Sequence, residues 1–278
     1  MAKINWFPGH MTKALRQMED ESKNVDMIIY VLDARAPKSC VNPEFVKVIN
    51  GKPILYVINK ADMVDEKQLT PFVNHFKTDN SEVLVLDSTK TGAIKQIEPI
   101  MTKLCKNKLQ KYSQKGFKMN LRAMVLGVPN SGKSTLINNL CGSKKTITGN
   151  KAGVTRGKQW LALKNGFEVL DTPGTLYPNI TNQQTALKLA FIGSIKNEVL
   201  DMNELALDFL NFCSKKYFKN LQERYSLPNA NMSSLEMLEH IAMHYHFLLK
   251  GGEIDYDRTC MAIIDDFRKG KLGKIILD

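Results

Sequence analysis

Residues 127–134 read Gly127-Val128-Pro129-Asn130-Ser131-Gly132-Lys133-Ser134 and follow the apolar run Ala123-Met124-Val125-Leu126. The octapeptide fits G-x-x-x-x-G-K-[ST] at every fixed position. An apolar run, a glycine-bearing loop and then a helix-forming stretch make the strand–loop–helix unit of an α/β sheet. Gly127 and Gly132 let backbone N–H groups approach phosphate oxygens with no Cβ in the way. A helix opening at Ser134 adds its favourable dipole. Lys133 is then placed for the β- and γ-phosphates of a nucleotide and Ser134 for Mg²⁺. Pro129, Asn130, Ser131, Gly132 and Thr135 complete the expected phosphate-binding set.

Downstream, Asp171-Thr172-Pro173-Gly174 follows the apolar run Phe167–Leu170. An Asp at a strand end can hold Mg²⁺ through water, and the Gly174 N–H can reach the γ-phosphate. Between the two motifs lies Ala152-Gly153-Val154-Thr155. Thr155 is the best candidate for a switch threonine closing on Mg²⁺ and the γ-phosphate, with Thr146, Thr148 and Thr172 as weaker competitors. Upstream, Asn59-Lys60-Ala61-Asp62 follows the run Pro53–Ile58. Asp62 can accept from guanine N1 and N2, which adenine cannot offer, so the wrong base leaves a carboxylate unpaired. Asn59 would tie this loop to the phosphate loop, and the Lys60 stem would cover the base. Ser88-Thr89-Lys90, after the run Val83–Leu86, fits a short motif whose backbone N–H contacts the guanine oxygen. The ligand is therefore GTP or GDP rather than ATP, and Asp62 argues against a P-loop kinase or ATPase. The guanine motif precedes the phosphate loop, the reverse of the usual order.

Six apolar runs read as strands: Met27–Leu32, Pro53–Ile58, Val83–Leu86, Ala123–Leu126, Gln159–Leu163 and Phe167–Leu170. Helical stretches fall between them, as at Thr12–Lys23, Glu66–Lys77 and Ser134–Leu140, and the basic run Lys103–Lys118 reads as a linker helix. This alternation predicts a mostly parallel, doubly wound sheet. Beyond Pro178 the strand signals stop. Ser233 and Glu236 form a capping box ahead of Leu235, Leu238, Ile241, Ala242, Tyr245, Leu248 and Leu249, which are expected to share one helix face. The expected fold is α/β: a circularly permuted P-loop GTPase domain over residues 1–178, then a smaller all-helical domain over residues 179–278.

Charge is unevenly placed. Residues 175–278 carry 12 Lys/Arg against 13 Asp/Glu, whereas residues 99–167 carry 14 Lys/Arg and no acidic residue. So one-sided a stretch is a footprint for phosphate-rich partners. Phe267, Arg268, Lys269, Lys271 and Lys274 form a second basic group, expected either to contact RNA or to be a charged helix end. No apolar run reaches a membrane-spanning length, and the first residues lack a secretory apolar region, so the expectation is a cytoplasmic protein that needs no membrane. The cysteines are scattered without a C-x-x-C, which suits reduced thiols. Asp33 and Arg35 end a strand beside the nucleotide sheet, where an ion-pair role and a functional one stand equal.

The chain resembles the ribosome biogenesis GTPase A family of bacterial circularly permuted GTPases. The resemblance rests on the permuted motif order and four further stretches: Trp6-Phe7-Pro8-Gly9-His10-Met11, Leu32-Asp33-Ala34-Arg35-Ala36-Pro37, the run from Gly251 to Arg258, and the run from Phe267 to Gly273. It implies a GTP hydrolase that acts late in maturation of the large ribosomal subunit or its precursor. That enzyme would contact rRNA, be activated by the particle and stay ribosome-associated, with a monomer as the default state. It also implies that His10 is catalytic, orienting the attacking water. The position after Gly174 is Thr175, not the Gln of signalling GTPases. At Asn130 the resemblance implies a K⁺ ligand, although a loop-bracing role fits as well. The alternative is a GTP-gated rRNA-binding scaffold in which hydrolysis only times release.

Overall fold

The structure, a computed structural model, describes residues 9–114, 120–142, 159–163, 166–177, 180 and 182–278 of the 278-residue chain. In chain order the first half holds α1 (Gly9–Ser22), β1 (Met27–Asp33), α2 (Phe45–Ile49), β2 (Ile54–Asn59), α3 (Glu66–Phe76), β3 (Ser81–Leu86), α4 (Ala93–Leu104) and α5 (Lys106–Gln114). The phosphate-loop unit follows as β4 (Leu121–Leu126) and α6 (Lys133–Cys141), then β5 (Gln159–Ala162) and β6 (Phe167–Asp171). Five helices follow: α7 (Gln183–Phe191), α8 (Met202–Lys216), α9 (Phe218–Tyr225), α10 (Ser234–His244) and α11 (Tyr256–Arg268).

The strands form one sheet in the order β3-β2-β1-β4-β6-β5, all parallel except β5, which runs antiparallel beside β6 at the edge. Every residue of β1 is buried, as a central strand covered on both faces must be. The period of two divides its side chains between two cores. Ile28, Tyr30 and Leu32 join one cluster with Phe45, Met124 and Leu170; Met27, Ile29 and Val31 join the other with Ile97, Leu136 and Val169. The register sets Asp33 opposite Asn59 and Asn59 opposite Leu86. The carboxyl ends of these strands thus meet at one edge, where ligands of doubly wound sheets bind.

The C-terminal helices share the first of these cores. Leu187, Phe191, Phe209, Ile263, Phe267 and Leu277 belong to the same buried cluster as Tyr30 and Leu126. The chain end is stitched on by the Leu277 N–H, which donates to the Arg35 carbonyl at 2.7 Å. The Asp278 carboxylate accepts from Lys38 N, Ser39 N, Ser39 Oγ and Lys188 Nζ at 2.6 to 3.0 Å. Pro178, the expected domain boundary, lies outside the described residues. Among the described residues no helix is long and apolar enough to cross a membrane.

Three local expectations need correction. The run Lys103–Lys118 is not one helix: it breaks at Cys105 between α4 and α5, and residues 115–119 lie outside the described set. The capping box at Ser233 and Glu236 is present, but α10 ends at His244, so Leu248 and Leu249 leave its face. Its buried stripe is Met237, Leu238, Ile241 and Ala242, while Leu235 is exposed. At the second basic group, Phe267 is buried between Phe209 and Arg35 and offers no ring to a base. Arg268 is spent on the carbonyls of Ala190 and Phe191.

Candidate nucleotide site

Gly127 and Gly132 sit at φ 153° and 97°. A Cβ at Gly127 would strike the Val31 carbonyl, and one at Gly132 would strike the Asn59 side chain. The phosphate loop is therefore closed against β1 and the guanine-motif loop by contacts only glycine permits. Lys133 opens α6, and its Nζ donates to the carbonyls of Gly127 and Val128 at 3.1 and 2.9 Å. Ser134 and Thr135 follow on the first turn of α6.

Asp171 ends β6 and is 1% exposed. Its Oδ1 has no hydrogen-bond partner among the described residues. Burial raises the Asp171 pKa and lowers that of Lys133, and each charge opposes the shift of the other. The next residue is pinned by its Oγ1, which donates to the Val125 carbonyl at 2.5 Å. Gly174 lies hard against the phosphate loop: a Cβ there would come within 2.7 Å of Pro129 Cα and 2.8 Å of Lys133 Nζ. Thr175 is buried, and its hydroxyl also lacks a partner among the described residues. Thr155, Thr146, Thr148 and Ala152 lie outside the described residues, as does the side chain of His10. The backbone of His10 is in the first turn of α1, and the sulfur of its neighbour Met11 accepts the Leu176 N–H at 3.3 Å.

Asn59 joins three loops. Its Nδ2 donates to the Ser131 carbonyl at 2.9 Å, and its Oδ1 accepts from Ser88 N at 2.9 Å. Lys60 stands at φ 62°, and its Nζ donates to Asp33 Oδ2 at 2.8 Å and to the Asn130 carbonyl at 2.6 Å. Burial pushes the Asp33 carboxyl up, yet Arg35 and Lys60 together hold it well below the usual carboxylate range. Asp62 lies in a short 3₁₀ turn and lines a cleft of about 270 Å³ with Ala61, Leu86, Lys90 and Thr91. Thr89 is fixed by an Asx turn on Asp87.

Two contributors were not visible in the motifs. The Asn139 carboxamide, on α6, donates to the carbonyls of Ser88 and Lys90 and accepts from Ala93 N, holding the Ser88–Lys90 loop. The turn after α7 meets the phosphate loop: Asn130 Nδ2 donates to the Gly193 carbonyl at 2.6 Å, and Ser194 Oγ donates to the Pro129 carbonyl at 2.8 Å. The partners are far apart in sequence, and Asn139, Gly193 and Ser194 stand in none of the quoted motifs.

Residues 122–230 match a family model described as 50S ribosome-binding GTPase. Ribosome biogenesis GTPase A of Bacillus cereus is 38% identical over 276 residues, spanning 99% of this chain and 93% of its own. The chain belongs to the ribosome biogenesis GTPase A family. The Thermotoga maritima member is 32% identical over 275 residues and likewise covered for 93% of its length. The crystal structure of GNP-bound YlqF from T. maritima superposes with a TM-score of 0.66 at 29% identity, covering 96% of this chain and 97% of that one. Its GDP-bound form gives 0.65 at 28% identity. The fold is thus that of a circularly permuted P-loop GTPase, and the chain is a GTP-hydrolysing enzyme of ribosome biogenesis, as other members of the ribosome biogenesis GTPase A family are named.

Proposed function

We propose that this GTPase acts in late maturation of the large ribosomal subunit, binds rRNA on the precursor particle and is activated by it. The reading is supported chiefly by the permuted order of the guanine and phosphate motifs in a chain matched almost end to end by ribosome biogenesis GTPases. The family model's own description, naming the 50S particle, points the same way. In this reading residues 1–178 are the GTPase part and residues 179–278 the ribosome-contacting helices, and the protein works as a cytoplasmic monomer.

Lys133 leaves the Gly127 and Val128 carbonyls for the β- and γ-phosphates, the loop N–H groups from Pro129 to Thr135 cradle them, and the Gly174 N–H faces the γ-phosphate. Mg²⁺ fits the donor set of Ser134, Asp171 and Thr155, because a buried Asp171 oxygen without a partner among the described residues suits a cation. When bound, that ion neutralises charge on the transferring phosphoryl group. Asn130 is our candidate for a K⁺ ligand. Asp62, Asn59, Lys60 and the Ser88–Lys90 loop read guanine. His10 orients the attacking water; in support, its neighbour Met11 touches Leu176, two residues beyond Gly174.

The test is GTP turnover in K⁺ buffer, alone and with purified large or small subunits. Stimulation by large subunits only is the expected result. Equal response to both, or to neither a subunit nor an assembly intermediate, would overturn particle activation. In the scaffold alternative, His10→Ala supports maturation while staying bound to particles; in the enzymatic reading it does not.

A further inference from the structure

The Asp33–Arg35 pair belongs to no nucleotide motif, yet it closes a polar circuit through the site. Lys60 Nζ bridges Asp33 Oδ2 and the Asn130 carbonyl. Asp33 is fully buried, and its carboxylate also takes Arg35 N at 3.0 Å, Nε at 2.9 Å and Nη2 at 2.7 Å. The remaining Arg35 Nη1 crosses to the Arg268 carbonyl at 3.3 Å, at the end of α11. The Arg268 guanidinium donates to the Ala190 and Phe191 carbonyls at 2.7 and 3.0 Å and to Asn197 Oδ1 at 2.9 Å, capping the C-terminus of α7. Immediately beyond that cap, Gly193 and Ser194 bond back to Asn130 and Pro129 of the phosphate loop. The path leaves the guanine motif, runs through two C-terminal helices and returns to the phosphate loop.

We propose that Asp33, Arg35 and Arg268 are positioning residues for guanine-nucleotide binding, through which the C-terminal helices set how tightly the nucleotide is held. The inference rests on the site reading given above. Lys60 adopts a left-handed backbone that its Cβ disfavours, so its side chain covers the base only while the amine is anchored. The anchor is a carboxylate shared with Arg35, and Arg35 is oriented by the end of α11. A charge shared in this way transmits loss: remove one member and the others are left buried without their partner. Coupling is reciprocal, so whatever moves α7 and α11 changes nucleotide affinity by the factor with which nucleotide changes their posture.

The test uses the full chain, with a fluorescent GDP and a non-hydrolysable GTP analogue followed at equilibrium and in dissociation. Arg268→Lys keeps the charge but loses the fork on α7, and Asp33→Asn keeps the shape but loses the anchor. Each is expected to raise Kd about five- to tenfold, mainly through faster dissociation. In a Lys60→Met background Arg268→Lys should lose most of its effect, a non-additivity that a merely structural role does not produce. An unchanged Kd for Arg268→Lys, or full additivity with Lys60→Met, would overturn the proposal. If Arg268→Lys does not fold, Ser194→Ala carries the test: weaker nucleotide binding supports the circuit and unchanged binding overturns it. Asp62→Asn is the control for the site itself. If that variant keeps full guanine preference, the site assignment fails and this proposal fails with it; if preference is lost while the other variants bind normally, only the circuit is wrong.

Discussion

At the scale of single residues, Asp62 and Asp33 do opposite work. Asp62 is exposed at the cleft, where a carboxylate waits for donors; Asp33 is buried, with its donors already in place. Asp62→Asn exchanges one acceptor for a donor and should cost about 1.5–3 kcal/mol of guanine binding, tenfold or more in Kd. Xanthine, whose C2 carbonyl can accept from the new amide, should gain; competition of labelled GDP by GDP and xanthosine diphosphate measures both. For Asp33→Asn the first effect is on stability, with an expected loss of about 3–5 kcal/mol at neutral pH from stranding Arg35 and Lys60. Because the folded-state pKa of Asp33 is depressed, its contribution is fully present above the ordinary carboxylate pKa and is lost as pH falls below it. Denaturant titrations should thus show the two proteins converging toward strongly acid pH, and a constant gap would refute this origin. The roles proposed for Asp62 and Lys133 come from the sequence itself, because guanine and phosphate chemistry narrows the residue types that can serve. The contacts of Arg268 and Asn139 were not legible, because most of their partners are backbone groups, which any residue supplies, across long separations in sequence.

Among elements, the strands were the most readable. The run Ile28–Leu32 is buried on both faces, so it needs apolar residues without alternation. The end of α10 was misread because apolar residues continue past it. Phe247, Leu248 and Leu249 are apolar for a different reason: the backbone turns at His246, φ 53°, and Leu248 then pairs with Ile254 in a short antiparallel bridge. Periodicity sees the side chains and not the turn. The start of α10 was legible because the capping box is local chemistry, Ser233 Oγ accepting from Glu236 N and Glu236 Oε2 from Ser233 N. Ser233→Ala should cost about 1 kcal/mol. For a chain of this size that is a melting-temperature drop of about 2–4 °C, with nucleotide affinity unchanged. A drop in nucleotide affinity as well would mean that α10 is coupled to the site, contrary to the circuit, which runs through α7 and α11.

Over the whole molecule, the charge asymmetry changes meaning once the chain is folded. The basic stretch is one-sided along the sequence but partly answered in space: Lys103 meets Glu82, Lys108 meets Asp26, and Arg122 meets Glu168 while lying over Trp160. Helix α5 has no buried residue, and its Lys106 and Lys111 are exposed. An element that lends the core only the half-buried Leu109 gains little from its own fold, and its exposed lysines suit a phosphate backbone better than a core. On that reasoning, affinity for the large subunit falls steeply between low and physiological KCl. Removing Lys106 and Lys111 together should flatten the log–log salt slope by about 1.5, from roughly 0.7–0.9 per phosphate contact. Lys103→Ala should flatten it less, since its charge is already shared with Glu82. Binding measured across the salt series distinguishes the cases: an unchanged slope in the double variant would move the RNA-facing surface away from α5, whereas equal slopes for Lys103→Ala and the double variant would mean that pairing with Glu82 does not survive on the particle.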